Sequence, residues 1–317
     1  MSTKNVISLS GGKDSTALLL FAIERGEEFE AVFADTGHEH PETYRYVEYL
    51  EQATGHSIRW VRADFAAAIK KKRRHVARKW EHDLIAEGWS VEEARARVTG
   101  AIAILKPTGI PFLDLCILKG RFPSTRARFC SSELKHEPIW EQVQEPLLDA
   151  GHEVVSWQGV RRDESRARAD AQPIEEVGGG LWNYRPIVDW TADDVFAMHR
   201  RHGVEPNPLY RQGMGRVGCM PCIHAGKSEL REIAARFPGE IGRVEEWERL
   251  VALASKRGAS TFFAADKTPG AHTEDHSLPV PGIRLVVEWS KTARGGRQYD
   301  MLAEEAPACS SVYGLCE

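Results

Sequence analysis

The most informative stretch of this 317-residue chain is Val6–Ser15, with the sequence VISLSGGKDS. A run rich in β-branched residues leads into Gly11 and Gly12, and a helix-favouring apolar run follows at Thr16–Ile23. This order predicts a buried strand, a tight turn, and a helix whose first amides point outward and attract an anion. Lys13 adds a positive charge and the serines add hydroxyl donors, so a polyphosphate is the expected ligand. The alternative is an ordinary strand-to-helix turn with a helix cap.

Two further polar segments follow strand-like runs. Asp35–Glu39 comes after one of them, and a carboxylate at such a strand end can hold Mg²⁺ or cap the next helix. Gly159–Arg168 comes after another and is rich in arginine, whose guanidinium group suits bidentate contacts to phosphate or sulfate. The alternative for this segment is a charged surface loop with internal ion pairs.

The chain also contains six cysteines in distinct sequence contexts. Cys130 lies between basic residues and directly before Ser131 and Ser132, which are predicted to cap the next helix. A helix N-terminus and nearby cations favour a thiolate at Cys130, although a buried structural cysteine is the common alternative. Cys219 and Cys222 form a C-x-x-C pair, which by itself fits a metal site, a redox pair or chance.

Strand-like and helix-like runs alternate along the first part of the chain, which predicts an α/β fold with a doubly wound parallel sheet. Because ligands bind at the carboxyl ends of such strands, we expect the three polar segments to share one edge of the sheet. The predicted strands are Val6–Ser10, Glu30–Ala34, Ile58–Arg62 and Val154–Gln158, and the predicted helices are Ser15–Arg25, Glu42–Thr54 and a long stretch from Phe65 to about Val98.

Strand signals become sparse after about Pro206, where helices are predicted at Lys227–Phe237 and Ile241–Lys256 and a loop at Thr268–Gly282. We therefore expect a nucleotide-binding domain at 1–205, with a basic helical insertion at about 65–100, and a smaller cysteine-bearing region at 206–317. The insertion carries the basic run Lys70–Lys79. This run suits a solvated helix face or, alternatively, the footprint of RNA, DNA or another polyanion.

Composition narrows the class of protein. A formal net charge of −4 gives no general signature of nucleic-acid binding, and 42% hydrophobic residues suffice for a core. No run approaches the roughly 18 apolar residues of a membrane span, and the first strand begins too early to leave room for a targeting segment. We therefore expect a cytoplasmic protein without a membrane partner, in which cysteines serve metal or redox chemistry rather than disulfides.

Several of these segments occur together in one enzyme family. Ser10–Ser15 resembles the SGGxDS signature of the PP-loop (N-type) ATP pyrophosphatases, and Asp35–Tyr44 resembles the DTGxExPET run of their phosphoadenosine phosphosulfate (PAPS) reductase-like branch. Gly159–Arg168, Arg128–Pro138 and the block around Cys219 resemble further motifs of this branch. The branch includes PAPS reductases, adenylyl-sulfate reductases and DNA phosphorothioation ATP pyrophosphatases. The motifs occur here in the family's order.

The resemblance implies an adenine nucleotide alpha hydrolase-like fold that binds ATP with Mg²⁺. It implies catalytic roles for Lys13, Asp14, Arg161 and Cys130, and magnesium binding by Asp35. The implied nucleotide and phosphate ligands are Ser8, Ser10, Gly11, Gly12, Lys13, Asp14, Ser15, Asp35, Thr36, Gly37, Gly159, Arg161 and Arg168.

The resemblance also brings three cysteines into one hypothesis. Cys130, Cys219 and Cys222 could supply thiolates to a [4Fe-4S] cluster, which suits sulfur chemistry. A fourth ligand could come from the positions Cys116, Cys309 or Cys316, or be absent. A Zn²⁺ site built from the same residues and a redox dithiol are the alternatives.

The leading functional hypothesis is an ATP pyrophosphatase that adenylates an acceptor, with a nucleic acid as one candidate. A cysteine-bound cluster or a persulfide would then deliver sulfur, supplied by a donor such as a cysteine desulfurase. The second hypothesis is a reductase in which a thiolate attacks PAPS or adenylyl sulfate. The tail Cys309–Glu317 lacks the Glu-Cys-Gly-Leu-His motif of PAPS reductases. A nucleotide- or nucleic-acid-binding module without catalytic activity is the third hypothesis.

Overall fold

The computed structural model describes residues 2–263 and 282–292. Within them the chain divides into two compact units. The first, here the sheet unit, comprises Met1–Ala63 and Glu133–Cys219; the second, here the helical unit, comprises Asp64–Ser132 and the described part of Met220–Glu305. This division differs from a boundary near residue 205, because residues 64–132 group with the C-terminal helices.

The sheet unit contains one six-stranded sheet in the order β3-β2-β1-β4-β6-β5. Neighbouring strands are parallel except β5, which runs antiparallel to β6 at one edge. The predicted α/β fold is confirmed, and the four predicted strands form with small shifts at their ends. The strands are β1 Thr3–Leu9, β2 Phe29–Ala34, β3 Ile58–Val61, β4 Glu153–Trp157, β5 Ile174–Gly178 and β6 Leu181–Tyr184.

Helices make up most of the remaining described structure. The α-helices are α1 Lys13–Glu24, α2 Pro41–Thr54, α3 Ala66–His75, α4 Glu81–Ala86, α5 Val91–Ile104, α6 Pro111–Lys119, α7 Phe129–Ser131, α8 Glu137–Ile139, α9 Glu145–Asp149, α10 Ala192–Arg201, α11 Lys227–Arg236, α12 Pro238–Ala254 and α13 Ile283–Ser290. Short π-helical turns occur at Val76–Trp80, Ser132–His136 and Trp140–Gln144, and 3-10 turns at Arg162–Glu164, Arg166–Arg168 and Pro208–Tyr210.

The sheet is covered by apolar side chains on both faces, as a doubly wound sheet requires. Alternate residues of one strand point to opposite faces, so Ile7 packs with α1, α2 and α10, whereas Val6 packs with the helical segment around Ile139. In β2 the same alternation sends Phe33 to the first face and Val32 to the second. The two cores hold the strand ends, and the loops that follow them, at fixed positions.

Two features of the chain depart from the sequence predictions. The long helix expected from Phe65 to about Val98 is wrong: Gly88 adopts φ 96° and Ser90 begins α5 with a capping box, so the helical run is interrupted. The antiparallel pair β5–β6 was not predicted, although Gly178–Gly180, all with positive φ, is a turn signal between two strand-like runs. The predicted helices near Lys227 and Ile241 are confirmed as α11 and α12.

The helical unit is built around an aromatic core. Phe112 of α6 stacks on Trp247 of α12, with ring centroids 5.7 Å apart, and Phe122 lies against Phe262 at 5.3 Å. The buried Glu248 carboxylate accepts hydrogen bonds from the backbone amides of Phe262 and Ile283. This carboxylate therefore ties the start of α13 to α12. The loop predicted at Thr268–Gly282 lies outside the described residues, apart from Gly282.

Among the described residues no helix combines the length and the apolar character needed to cross a membrane.

Candidate nucleotide site

Three polar loops lie at one edge of the sheet unit, as predicted. They follow β1, β2 and β4, which are adjacent and parallel in the order β2-β1-β4. The carboxyl ends of these strands therefore lie side by side, which is where ligands bind in open α/β sheets. Ser8, the first of the predicted ligands, lies within β1 and pairs in register with Val32 of β2.

The loop Ser10–Ser15 wraps tightly around the start of α1. Gly11 adopts φ 71°, and a Cβ atom there would stand 2.8 Å from Cγ2 of Thr43. The Ser15 hydroxyl accepts the backbone N–H of Ser10 at 3.1 Å and donates to the carbonyl oxygen of Gly12 at 3.0 Å. Only glycine fits at Gly11 without strain, and the serine hydroxyls fix the turn.

Behind this turn, one carboxylate holds two cations together. The Lys13 ammonium donates to Oδ2 of Asp14 at 2.8 Å, and Nε of Arg161 donates to Oδ1 of Asp14 at 2.5 Å. The Lys13 and Arg161 side chains are only 5% and 4% exposed. Arg161 also donates to Asp163 and to the carbonyl oxygen of Trp190. The predicted catalytic residues Lys13, Asp14 and Arg161 thus form one cluster, oriented before any ligand arrives.

Gly159 permits this cluster to form. A Cβ atom at Gly159 would lie 3.2 Å from backbone atoms of Asp14 and Ser15, closer than nearly all real Cβ contacts. The backbone that carries Arg161 away from β4 therefore runs directly against the start of α1. The small size of Gly159, rather than a contact made by a side chain, explains its place in the site.

Three residues from the C-terminal part of the sheet unit support the loop. Asn207 donates to the carbonyl oxygen of Gly11 at 3.1 Å, and the Tyr210 hydroxyl accepts the backbone N–H of Lys13 at 2.9 Å. A ring nitrogen of His199 lies 3.0 Å from the Lys13 carbonyl oxygen. Burial lowers the pKa of His199, so its neutral form is favoured. All three side chains are buried.

A concentration of positive charge lies beside this cluster. Burial lowers the pKa of the Arg168 guanidinium, and the repulsion from Arg216 and Arg161 lowers it further, opposed by attraction to Asp14. Arg168 also pairs with Glu164. Arginines that repel each other in a partly buried place gain most from a bound anion, since a phosphate or sulfate can accept hydrogen bonds from several guanidinium groups.

The loop after β2 is organised around two carboxylates that share one hydroxyl. Tyr44 donates to Asp35 at 2.8 Å and lies 3.1 Å from Oε2 of Glu39. Burial raises the pKa of Tyr44, and the charges of Glu39 and Asp35 raise it further, so the hydroxyl stays protonated. Asp35 also accepts the backbone N–H of Gly37 and forms an ion pair with Arg62 at 3.3 Å.

The surroundings of Asp35 bear on the predicted magnesium site. A carboxylate beside a phosphate loop is a suitable Mg²⁺ ligand, and the Arg62 side chain that neutralises Asp35 is 51% exposed. The Asp35 carboxylate in this pair is only 17% exposed, and magnesium binding by Asp35 stays a prediction. The second predicted ligand in this loop, Thr36, is fully buried and its hydroxyl donates to Glu39 rather than facing a ligand.

Cys219 contacts the same loop. Its Sγ lies 3.5 Å from Oε1 of Glu39 and 3.7 Å from Oγ1 of Thr36, and Glu39 and Cys219 form an isolated antiparallel bridge. In the conformation described, the predicted metal ligand Cys219 therefore lies against the loop that follows β2.

Cys130 lies in the helical unit, in the first turn of α7. The predicted caps are wrong: α7 begins at Phe129, so Ser131 lies inside the helix, and the Ser132 hydroxyl donates to the Phe129 carbonyl oxygen. Burial raises the pKa of the Cys116 thiol, and Cys130 raises it further. Cys116 and Cys130 are therefore close enough to interact.

The described residues contain no group of three or more Cys, His, Asp or Glu side chains arranged to hold a metal ion. A cluster or a Zn²⁺ ion on Cys130, Cys219 and Cys222 therefore stays a prediction. The last two candidate ligands, Cys309 and Cys316, lie outside the described residues.

Comparison with known proteins gives the family. Residues 4–225 match the phosphoadenosine phosphosulfate reductase domain. The chain belongs to the PAPS reductase family. A 37.8 kDa protein from the gpa 5′ region of Escherichia phage 186 is 53% identical over the whole of this chain and 97% of its own length.

Relatives with a stated activity are more distant. The PAPS reductase of Vibrio atlanticus is 24% identical over 74% of this chain and 72% of its own length. The adenosine 5′-phosphosulfate reductase of Neisseria meningitidis serogroup B is 37% identical, but the match covers only 35% of this chain and 44% of that protein. A PAPS reductase structure from Candida auris, in a phosphate complex, aligns with 68% of this chain and 80% of its own, at a TM-score of 0.40 and 18% identity.

Several supporting residues were not predicted from the sequence. His199 and Tyr210 lie 186 and 197 positions from Lys13, whose backbone they contact. Tyr44 lies 9 positions from Asp35 and acts through a hydroxyl that has no local signature. Asn207 and Tyr210 stand in the block around Cys219, and Tyr44 ends the run Asp35–Tyr44; the resemblance of both segments to the family was the available signal.

Proposed function

We propose that this PAPS reductase family member is an enzyme that binds an adenine nucleotide at Ser10–Ser15 and cleaves ATP between its α and β phosphates. The observation that supports this most directly is the cluster of Lys13, Asp14 and Arg161. Two buried cations on one carboxylate provide positive charge next to a glycine turn and a helix N-terminus.

The proposed reaction transfers the adenylyl group. An acceptor oxygen attacks the α phosphorus, the bond from this phosphorus to the bridging oxygen breaks, pyrophosphate leaves, and the acceptor proton passes to solvent. Lys13 and Arg161 neutralise the charge that develops on the phosphate oxygens. Asp35 would hold Mg²⁺, which when bound neutralises further phosphate charge. Arg168 and Arg216 supply the second group of cations for the departing pyrophosphate.

Sulfur transfer is the second part of the proposal and involves Cys130. A persulfide donor, such as a cysteine desulfurase, would pass one sulfur atom to Cys130, and this sulfur would displace AMP from the adenylated acceptor. A cellular reductant of the dithiol class would then cleave the disulfide bond between the transferred sulfur and Cys130, which releases the acceptor as a thiol, restores the Cys130 thiol and leaves the reductant as its disulfide. No step in this sequence uses a metal cluster.

A reductase remains the second candidate function, because relatives with a stated activity are named as reductases of PAPS or adenosine 5′-phosphosulfate. In that reaction a cysteine thiolate attacks the sulfur of the nucleotide sulfate. The third candidate, a binding module without catalysis, keeps the nucleotide site but turns over nothing.

Product analysis distinguishes the three candidate functions. The anaerobically purified protein is incubated with α-labelled Mg·ATP, with PAPS plus dithiol, and with adenylyl sulfate plus dithiol, and the products are separated by chromatography. AMP with pyrophosphate supports the proposal, and ADP with phosphate contradicts it. Sulfite from either sulfate nucleotide supports the reductase. Tight nucleotide binding without any product supports the binding module.

The variant Lys13→Ala tests whether ATP binds at the loop Ser10–Ser15. Loss of a charge-assisted contact costs about 1.5–3 kcal/mol, so the variant should bind ATP roughly 10- to 150-fold more weakly by calorimetry. Lys4→Ala, which removes an exposed lysine from β1, is the matched control and should bind as the wild type does. Equal ATP affinity in both variants would remove Lys13 from the site. Iron, sulfide and zinc counts on the same preparation test the metal hypotheses directly.

A further inference from the structure

The helical unit contains a cavity of about 750 Å³ that the proposed reaction does not use. Its walls come from the end of α6 and the loop that follows, from the end of α12 and the next loop, and from α3 with the turn at Val76–Trp80. The cavity volume lies in the range of ligand sites in proteins. We call this feature the basic cavity.

The lining of the basic cavity is strongly one-sided in charge. Its five cationic residues are Lys72, Lys119, Arg121, Lys256 and Arg257, and none of the described lining residues is Asp or Glu. Lys256 pairs with Glu87 at 2.5 Å, and Lys72 donates to the carbonyl oxygens at the ends of α6 and α12.

Two exposed arginines add positive charge to this lining. Within residues 2–263 and 282–292, no carboxylate forms an ion pair with Arg121 or Arg257, and both guanidinium groups belong to exposed residues. The net charge of the whole chain is −4, so this local excess of positive charge is not a reflection of the composition. A concave surface of one sign focuses the field and attracts an anion of matching shape.

The exposed side of α3, which turns away from the residue that lines the basic cavity, is also positive. Lys72 connects this helix to the basic cavity, and its neighbours Lys70, Lys71, Arg73 and Arg74 are all exposed. None of these four forms an ion pair with a carboxylate among the described residues. A ligand with several negative charges in a row can contact both the basic cavity and the exposed side of α3, which a single small anion cannot.

Aromatic rings accompany the cations. Nζ of Lys119 and Cζ of Arg121 lie 5.8 Å and 5.6 Å from the ring centroid of Phe129, which is half-buried. Phe122 and Phe262 also line the cavity but are buried in the aromatic core, so the exposed guanidinium groups of Arg121 and Arg257 are the flat groups of the lining that a base can stack on. Proteins that bind single strands combine a positive groove for the backbone with rings and guanidinium groups on which bases stack. Acidic peptides offer the charge but not flat bases for stacking.

We propose that the basic cavity and the exposed cations of α3 form a binding site for a single-stranded nucleic acid. An unstacked nucleotide can enter a cavity of this size, whereas a duplex keeps its bases inside and presents a convex phosphate surface. The inference relates to the proposed function only through the identity of the acceptor. It is tested by binding alone, so it can fail while ATP cleavage is confirmed, or hold while ATP cleavage is refuted.

The test measures fluorescence anisotropy of the full chain with a labelled single strand of about twelve nucleotides, within the usual site size. A DNA and an RNA strand, a duplex of the same length and a poly-glutamate peptide are compared at several salt concentrations. The site variant is Lys119→Gln/Arg121→Gln/Arg257→Gln. The matched control is Arg231→Gln/Arg236→Gln/Arg249→Gln, which removes three exposed cations from α11 and α12.

We expect the single strands to bind and the site variant to lose tenfold or more in affinity at low salt. Each lost phosphate contact lowers the slope of log K against log salt by about 0.7, so three contacts lower it by about 2. The control should keep the wild-type slope. Equal losses in both variants, absence of single-strand binding at low salt, or tighter binding of the duplex or of poly-glutamate would each overturn the proposal.

A second variant keeps the proposal testable if the first variant does not fold. Lys70→Gln/Lys71→Gln/Arg74→Gln changes exposed side chains of α3 only, and it should also weaken single-strand binding and reduce the slope. The thermal unfolding midpoint of each variant is measured alongside. If the α3 variant folds and binds as the wild type does, α3 is not part of the site and the proposal in this form is wrong.

Discussion

The Tyr210 hydroxyl is expected to stabilise the phosphate loop by accepting a buried backbone amide. Its oxygen lies 2.9 Å from the backbone nitrogen of Lys13, the first residue of α1. Tyr210→Phe removes only this oxygen. The ring, which meets Phe196 edge-on at 6.3 Å between centroids, keeps its place. The substitution therefore tests the contribution of one hydroxyl group.

The expected loss of stability in Tyr210→Phe follows from the burial of both hydrogen-bond partners. Tyr210 is 2% exposed and Lys13 is 4% exposed, so water cannot easily replace the lost acceptor. A buried donor left without a partner costs about 1–3 kcal/mol. At roughly 2–4 °C per kcal/mol for a chain of a few hundred residues, the unfolding midpoint of the unit should fall by about 2–12 °C.

The assay compares Tyr210→Phe with Tyr49→Phe by thermal and urea unfolding. Tyr49 is a matched control, since its hydroxyl also accepts a backbone N–H, that of Glu205 at 3.0 Å, but in an exposed place. Water can take over there, so Tyr49→Phe should change the free energy of unfolding by no more than about 0.5 kcal/mol. Equal effects of the two substitutions, or no effect of Tyr210→Phe, would refute the assignment of Tyr210 as the cap of α1.

Three further predictions concern the same site. Gly11→Ala should destabilise the fold by at least about 1 kcal/mol and weaken nucleotide binding in calorimetry, because φ is 71° and a Cβ atom would meet Thr43 at 2.8 Å; unchanged stability would contradict the loop geometry. Arg168→Gln should weaken pyrophosphate binding several-fold without lowering the unfolding midpoint, since Arg216 repels the native guanidinium; a loss of stability without a loss of affinity would make Arg168 structural. Burial lowers the pKa of His199 below its ordinary 6.5, so the unfolded chain binds more protons just below pH 6.5 and stability should fall as pH drops through that value. His199→Asn should reduce this pH dependence in urea titrations, and an identical pH profile would exclude His199 as its source.

The sequence by itself determined the fold class and the position of the phosphate loop. The alternation of strands and helices is a local pattern repeated along the chain, so it specified the parallel sheet and the edge where the loops Ser10–Ser15, Asp35–Glu39 and Gly159–Arg168 meet. Gly11 could be predicted as a turn residue because the need for positive φ is a property of one residue. These features require no knowledge of distant contacts.

The positions of helix breaks and helix caps were harder to predict from the sequence. The break after α4 depends on one glycine and one serine within an otherwise helix-favouring run, and Gly88 and Ser90 outweigh the helix propensity around them. Ser131 and Ser132 gave a cap signal, yet α7 begins earlier, at Phe129. Such boundaries follow from competition among several weak local preferences, which packing then decides.

Only the tertiary structure decided how the site is held and what its side chains face. Asp14 and Arg161 are 147 residues apart, and Lys13 and Tyr210 are 197 apart, so no spacing rule connects them. The same holds for Cys219, which a C-x-x-C pattern offers as a metal ligand but which the fold places against the Glu39 carboxylate. A side chain's chemistry depends on its neighbours in space, through burial, charge and hydrogen bonding, and those neighbours are set by packing of segments that are distant in the sequence.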